Sequence, residues 1–81
     1  MNWIERDGKL LRTFRTPDFL TAYNLVSAIV GPAEGMNHHP DVSFGWGYVT
    51  ITLTTHDAGG ITDLDRRLSK AIDEAVKSFD L

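Results

Sequence analysis

Three histidines and three nearby acids are the residues of this chain whose types suit chemistry at neutral pH. The histidines are His38, His39 and His56, and the acids are Glu34, Asp57 and Asp65. Histidine titrates near pH 7, so histidines gathered in loops or at strand ends can give and take protons. Surface histidines in loops are also common, and composition alone leaves both interpretations open.

A metal site is a second interpretation of the same residues, because histidines and carboxylates are common metal ligands. The spacing argues against it. Pro40 favours an extended backbone at His39, and neighbouring side chains of an extended segment point to opposite sides. His38 and His39 therefore cannot readily bind one ion. The chain also lacks the helical pair of histidines, four residues apart, that zinc proteases use. The sequence predicts no metal.

The elements that must position these residues begin with a hairpin and a helix. Asp7-Gly8 lies between two short segments, 3–6 and 9–14, which predicts two antiparallel strands. Thr16 followed by Pro17 predicts a helix that starts with Thr16 as its N-cap, and Gly31-Pro32 predicts where that helix ends. Helical spacing predicts an apolar stripe made of Phe19, Ala22, Tyr23, Val26, Ile29 and Val30.

The second half of the chain repeats the order strand, strand, helix. Residues 33–40 are predicted as a loop that carries Glu34, and a short strand then runs into a turn at 45–47. Residues 48–54 alternate cleanly and are rich in β-branched types, which predicts a strand. After a glycine-containing loop at 56–60, Thr62 and Asp65 form a capping-box-like start of a second helix. Its apolar stripe comprises Leu64, Leu68, Ala71, Ile72, Ala75, Val76 and Phe79.

The order β-β-α-β-β-α predicts an α+β fold, in which two helices cover one face of a four-stranded, mainly antiparallel sheet in a two-layer sandwich. A chain of 81 residues is expected to form a single domain over residues 1–81. Such a small core has little stability to spare, and without cysteine it has no disulfide to help. Self-association is therefore expected.

Composition excludes several classes of function. The formal charge is −3 and no basic patch is evident, so nucleic-acid binding is not expected. No apolar run approaches the ~20 residues of a membrane span, and the first residues lack the pattern of a signal peptide. A cytoplasmic protein without a membrane partner is the expectation.

Several short motifs, taken together, carry a resemblance. They are Glu34, then His38-His39-Pro40, an aromatic residue at Trp46, the run Thr55-His56-Asp57, and Asp65 at the start of the next helix. The chain resembles the pterin-4a-carbinolamine dehydratase family in this pattern, without gaps from residue 34 to residue 65. Trp3 and the segment 14–19 extend the resemblance over nearly the whole chain. The combination is far more specific than any of its parts.

The resemblance implies a lyase. Members of this family dehydrate 4a-hydroxytetrahydrobiopterin, a by-product of aromatic amino-acid hydroxylation, to quinonoid dihydropterin. They use no metal and no organic cofactor, since the pterin is the substrate. An acid must protonate the departing hydroxyl while a base takes a proton from a ring nitrogen, a task that suits histidine.

Residue by residue, the resemblance implies that His38 and His56 are the acid–base pair and that His39 is a third histidine, used mainly for binding. Asp65 matches an acid that supports the catalytic site, and an Asp there can also cap its helix. Glu34 and Trp46 match supporting positions, and Glu34 could orient a histidine. Glu34 fits an exposed loop glutamate nearly as well, and Trp46 fits a core or subunit contact equally well. The substrate-contacting stretches correspond to Asn37, His38, His39, Thr54, Thr55, His56 and Asp57.

The chain departs from the family pattern at a few places. It is expected to lack the additional helical segment that longer members carry before the first strand. Leu64 stands where some relatives have a basic residue, and Asn37 stands where some have Asp. None of these differences removes a proton-transfer group. They therefore bear on substrate affinity and on assembly more than on the chemistry.

Two rival functions stay open. One is a non-catalytic binding module, since some animal relatives also serve as a dimerisation cofactor of a transcription factor. The other is a different pterin-related role on the same fold. For assembly, the resemblance implies a dimer through sheet edges and, in several members, a tetramer through helix packing. A homotetramer is the prediction, with a dimer as the alternative.

Overall fold

A computed structural model describes residues 2–81, which form a four-stranded sheet and two long helices. The elements in chain order are β1 (Ile4–Arg6), β2 (Lys9–Arg15), α1 (Phe19–Met36), β3 (Asp41–Gly45), β4 (Tyr48–Leu53) and α2 (Asp63–Ala75). Short 3-10 turns occupy His56–Ala58 and Lys77–Phe79. The predicted α+β sandwich with the order β-β-α-β-β-α is confirmed.

The sheet has the strand order β1-β2-β4-β3, and every neighbouring pair is antiparallel. Alternation along the central strand β4 sorts its side chains between two faces, as the sequence predicts. Val49, Ile51 and Leu53 are buried, while the residues between them are only partly covered. The buried face packs against the helices, whose largest core residues are Leu25, Ile29, Leu68 and Ile72.

The predicted N-cap of the first helix is wrong. The cap is Asp18, which has an extended backbone and accepts a hydrogen bond from the amide of Thr21 at 2.7 Å. Thr16 stays outside the helix because its amide donates to the carbonyl of Gly47 (2.9 Å), in the turn between β3 and β4. Its hydroxyl donates instead to the carbonyl of Asp18 at 3.0 Å.

The predicted end of this helix is also wrong, because α1 runs through Gly31-Pro32 to Met36. A proline inside a helix removes one backbone hydrogen bond and costs ~3 kcal/mol or more. Packing of the last turn opposes this cost, since Ala33 is buried and Met36 packs against the core. As a consequence Glu34 lies on the helix and not in the predicted loop.

The apolar stripe of α1 was predicted only in part. Ala22 and Ile29 are buried as expected, together with Leu25 and Ala33. Three residues of the predicted stripe are instead more than half exposed: Phe19, Tyr23 and Val30. They lie on the flank of α1 next to β3, where Phe19 stacks on Phe44 with ring centroids 5.6 Å apart.

A polar anchor ties the first hairpin to the end of α2. The indole Nε1 of Trp3 donates to Asp73 Oδ1 at 2.9 Å, and Arg12 donates to the same oxygen. The Arg12 guanidinium also lies 4.1 Å from the centroid of the Phe14 ring. The described helices include none that is both long and apolar enough to cross a membrane.

Candidate active site

One pocket gathers all the residues predicted to contact substrate. It has a volume of about 350 Å³, within the ~300–1,000 Å³ range of small-molecule sites. Its lining consists of Asn37, His38, His39, Thr54, Thr55, His56, Asp57 and Leu64. Residues that are far apart in sequence therefore meet at one end of the sandwich, where α1 and β4 end and α2 begins.

The end of α1 directs the first two histidines toward this pocket. Asn37 ends the helix in the left-handed conformation, with φ 49° and ψ 43°, a conformation that asparagine tolerates better than most residues. The next amide, that of His38, donates back to the carbonyl of Ala33 at 3.1 Å. Asn37 thus has a backbone role in addition to its predicted contact with substrate.

Asp65 lies directly behind the pocket and is completely buried. Its Oδ1 accepts a hydrogen bond from His38 Nε2 at 2.6 Å. Its Oδ2 accepts two more, from the hydroxyl of Thr55 at 2.7 Å and from the amide of Thr62 at 2.9 Å. The predicted capping contact of Asp65 is therefore present, and the same carboxylate also holds a histidine.

The hydrogen-bond pattern fixes where the protons lie. A carboxylate can only accept, so the hydrogen of the Thr55 hydroxyl points to Asp65. The hydroxyl of Thr62 lies 2.7 Å from that of Thr55 and must then be the donor of this pair. By the same argument the neutral ring of His38 carries its hydrogen on Nε2, and Nδ1 keeps the lone pair.

The environment of Asp65 keeps it ionised. Burial opposes the charge, but the hydrogen bonds from His38, Thr62 and Thr55 outweigh that effect and hold the pKa of Asp65 below its ordinary value of 3.8. A negative charge without exposed surface therefore faces His38, whose own side chain is only 12% exposed.

His39 is held by a different acid at the rim of the pocket. Its Nε2 is hydrogen-bonded to Glu34 Oε2, across the last turn of α1. Both side chains are more than half exposed, and exposed pairs of this kind contribute little stability. Glu34 therefore contacts a histidine, and it does so from the helix and not from the predicted loop.

His56 completes the histidine set from the opposite side. It begins the 3-10 turn that follows β4, and a bridge between Thr55 and Gly60 closes this turn. Gly59 adopts a positive φ of 73° there, which favours glycine. His56 is exposed and makes no side-chain hydrogen bond to residues 2–81.

One predicted site residue, Trp46, lies away from the histidine pocket. Trp46 is 72% exposed in the turn between β3 and β4, at the opposite end of these strands from the histidines. It does not line the histidine pocket, because the hairpin carries its tip away from α2. Within residues 2–81 no group of three or more candidate ligands is placed to hold a metal ion.

Sequence reasoning missed the part that Thr62 plays, and it connected Leu64 with affinity without placing it in the pocket. Thr62 was interpreted only as a helix cap, yet its hydroxyl orients Thr55. Leu64 was assigned to the apolar stripe of α2, yet it is 38% exposed and lines the pocket. Its position directly before Asp65 was the available signal.

Fold and site together define a class: a small α+β protein in which a buried carboxylate holds a histidine at the wall of a ligand-sized pocket. A family model described as pterin 4 alpha carbinolamine dehydratase matches residues 1–75. The chain belongs to this family, as the resemblance in its motifs predicted.

Relatives agree with this assignment. A protein of Sulfurisphaera tokodaii is 47% identical over 91% of this chain and 80% of its own length. One from a Picosynechococcus species is 42% identical over 89% of this chain and 78% of its own length. Both bear the provisional name pterin-4-alpha-carbinolamine dehydratase.

Two solved structures share the architecture. The crystal structure of a transcriptional coactivator/pterin dehydratase from Brucella melitensis is 29% identical, with a TM-score of 0.84, and the match covers 91% of this chain and 81% of that one. A pterin dehydratase-like protein identified as a RuBisCO assembly factor is 20% identical, with a TM-score of 0.71 over 90% of this chain and 84% of that one. The latter shows a common fold alone.

The lowered pKa of Asp65 predicts an acid-dependent loss of stability. Because the folded pKa lies below the unfolded one, the unfolded state binds more protons between the two values. The free energy of unfolding should therefore fall as the pH drops through 3.8 and below. Asp65→Asn should cost about 3 kcal/mol near neutral pH and should flatten this acid dependence, as measured by urea unfolding at a series of pH values.

Asp63→Asn is the matched control, since Asp63 lies in the same first turn of α2 but is exposed. This variant should keep the acid dependence of the wild type. An Asp65→Asn variant with an unchanged pH profile would show that the buried charge is not the source of the effect.

Proposed function

We propose that this chain dehydrates 4a-hydroxytetrahydrobiopterin to quinonoid dihydropterin and water, with His38 and His56 as the acid–base pair. The observation that carries the proposal is the meeting of both histidines in one pocket, with the buried carboxylate of Asp65 behind one of them. Membership of the dehydratase family supports it.

The reaction needs only proton transfers. The bond between C4a and its hydroxyl oxygen breaks, a proton joins the departing oxygen, and a ring nitrogen loses a proton as the new double bond forms. Oxidation states balance within the substrate, so two groups that titrate near neutral pH are sufficient. We propose that the chain uses no metal and no organic cofactor for this step.

Asp65 is proposed to orient the ring of His38 for proton transfer. With Nε2 bonded to the carboxylate, Nδ1 is the ring nitrogen that can exchange a proton with substrate. The buried negative charge neutralises the positive charge that develops when the ring holds two protons, as in other carboxylate–histidine pairs. His56, which lacks such a partner among residues 2–81, is proposed to act from the other side of the pterin.

The remaining lining residues are proposed to bind the pterin. His39, at the rim and paired with Glu34, contributes mainly to binding. Asn37, Thr54 and Asp57 offer amide, hydroxyl and carboxylate groups to the polar edge of the heterocycle. The hydroxyl of Thr55 is already committed to Asp65, so we assign it a positioning role.

A non-catalytic binding module is the second candidate function. The Brucella melitensis structure is described as a transcriptional coactivator as well as a pterin dehydratase, and α1 of this chain exposes Phe19, Tyr23 and Val30. Such a role uses helix surfaces and is independent of the histidines. Substitution of His38 or His56 therefore separates the two functions, because partner binding should survive it.

We also propose that the chain assembles as a homotetramer. β3 is an edge strand of the sheet, so one side of its backbone is available to a second copy. The exposed apolar flank of α1 lies beside it and offers a second surface that another copy could cover. Strand pairing would form a dimer and helix packing would join two dimers.

Activity should depend on both histidines and on Asp65. His38→Ala and His56→Ala should each lower kcat by ~10²–10⁴, as expected for general acid–base groups. Asp65→Asn should lower it by ~10–100, the usual effect of removing a group that orients a functional histidine. His39→Ala should raise KM more than it lowers kcat.

The measurement follows the ultraviolet absorbance of freshly generated 4a-hydroxytetrahydrobiopterin, with a chelator present and the fold of each variant verified by circular dichroism. A wild-type rate equal to the spontaneous rate would refute the dehydratase proposal. It would leave the binding module as the better account.

Assembly should respond to charge on the flank of α1. Tyr23→Glu should convert the tetramer to a dimer, because it places a carboxylate within an apolar contact. Asn24→Glu is the matched control on the next, polar position, and it should leave the mass unchanged. Multi-angle light scattering gives the mass directly, and a monomeric wild type would contradict the proposal.

A further inference from the structure

An apolar pocket adjoins the histidine pocket. It has a volume of about 200 Å³ and lies between the second half of α1 and the start of β3. Its lining is mostly aliphatic and consists of Val26, Ile29, Val30, Ala33, Glu34, His39, Pro40 and Val42. Val30 and Val42 keep 53% and 36% of their surface exposed. His39 lines both pockets, so the two cavities share one wall.

Trp46 is an exposed aromatic residue that the fold of a single chain does not explain. It lies in the two-residue turn between β3 and β4, and among residues 2–81 no large hydrophobic side chain is more exposed. The turn does not require an indole, because Gly47 supplies its positive φ of 89°. Tryptophan is among the residues most enriched at protein contacts.

The two edges of the sheet differ in how readily they can pair with another strand. β1 has only three residues, and two of them, Glu5 and Arg6, are charged. β3 has five residues, and Asp41 is its one charged residue. Short strands and charged side chains are common means by which proteins prevent edge pairing. β3 is therefore the edge that a second copy of this chain can extend.

Two-fold symmetry determines which residues meet in such a contact. When a strand pairs antiparallel with its own copy, the end of each strand lies against the start of the other. Pairing centred on Ser43, the middle residue of β3, sets the partner's Trp46 opposite Pro40. Moving this pairing partner by two residues, which keeps every side chain on its own face, sets it opposite His38 or Val42. The helices of both copies then lie on the same face of the joint sheet.

The area that a stable dimer needs favours the same contact. A five-residue strand is ~17 Å long, so pairing of two such backbones alone buries far less than the ~1,200 Å² of a specific interface. A tryptophan side chain buries ~150–250 Å², and the symmetry of the dimer provides two of them. Insertion of each Trp46 against the other copy's apolar pocket therefore supplies apolar area that strand pairing lacks.

We propose that Trp46 of one subunit covers the apolar pocket of its partner and completes the rim of the partner's histidine site. The inference rests on the proposed pairing of β3 edges. It makes Trp46 a positioning residue, because the indole restricts the hydrogen-bonded side chains of His39 and Glu34, which are more than half exposed in the single chain. Each site of the dimer is then built from two chains.

Cross-linking of introduced cysteines tests the proposal, because the chain has none of its own. Trp46→Cys and ¹⁵N-labelled Val42→Cys are refolded together and treated with a short bismaleimide, which tolerates more spread than the ~3.5–4.5 Å between the Cβ atoms of a disulfide. Mass spectrometry identifies the mixed covalent dimer by its label. Its yield should exceed that of the control mixture by about tenfold or more, since neighbouring groups have effective concentrations of ~mM.

The control mixture replaces Val42→Cys by Ser78→Cys. Ser78 is exposed in the 3-10 turn after α2, outside both β3 and the apolar pocket. A second measurement uses the uncross-linked protein. The imidazole proton resonances of His39 should move in Trp46→Ala, because an indole ring shifts the resonances of protons that it contacts. The resonances of His56 should stay in place.

The outcomes separate this inference from the assembly on which it rests. If light scattering shows an assembled wild type, but the mixed dimer does not exceed the control and the His39 resonances do not move, the assembly stands and the role of Trp46 is refuted. A monomeric wild type would overturn the assembly and the role of Trp46 together. Neither result decides the dehydratase proposal, which has its own assay.

Discussion

A single buried carboxylate joins the parts of this protein that the candidate site requires. Asp65 has no exposed surface, yet its pKa is held below the ordinary value. Such a charge is tolerated only where donors replace the lost water. Three do so, and they come from the segment after α1, from the end of β4 and from the residue before α2. Without this charge, little would hold His38 in one orientation.

The rest of the sandwich brings these three segments to one place. β4 is central in the sheet, and its buried face fixes where Thr55 emerges. The passage of α1 through Pro32 extends the helix to Asn37, whose left-handed backbone turns His38 toward Asp65. The unfavourable proline is therefore part of how the site is built. Burial of Ala33 and packing of Met36 against the core favour the extension.

Much of this arrangement could be predicted from the sequence, and the reasons for the exceptions are physical. Strand alternation from Tyr48 to Leu53 is a local property and predicts β4 well. The end of α1 depends on packing that lies outside the local sequence, so the proline was misinterpreted as a stop. The buried face of α1 was also predicted only in part, because helical periodicity alone does not tell which of two apolar flanks packs against the sheet. Leu64 shows the same limit. It has the helical spacing of the buried stripe and lies one turn before the completely buried Leu68, yet 38% of its own surface is exposed.

The orientation of His38 is the central claim, and nuclear magnetic resonance of the ¹⁵N-labelled imidazole tests it most directly. Two-bond correlations between ring protons and nitrogens distinguish the two neutral tautomers. Above the titration of the ring, His38 should show a protonated Nε2 and an unprotonated Nδ1, and Asp65→Asn should abolish this preference. A wild-type ring with the proton on Nδ1, or one that exchanges rapidly between both tautomers, would contradict the account.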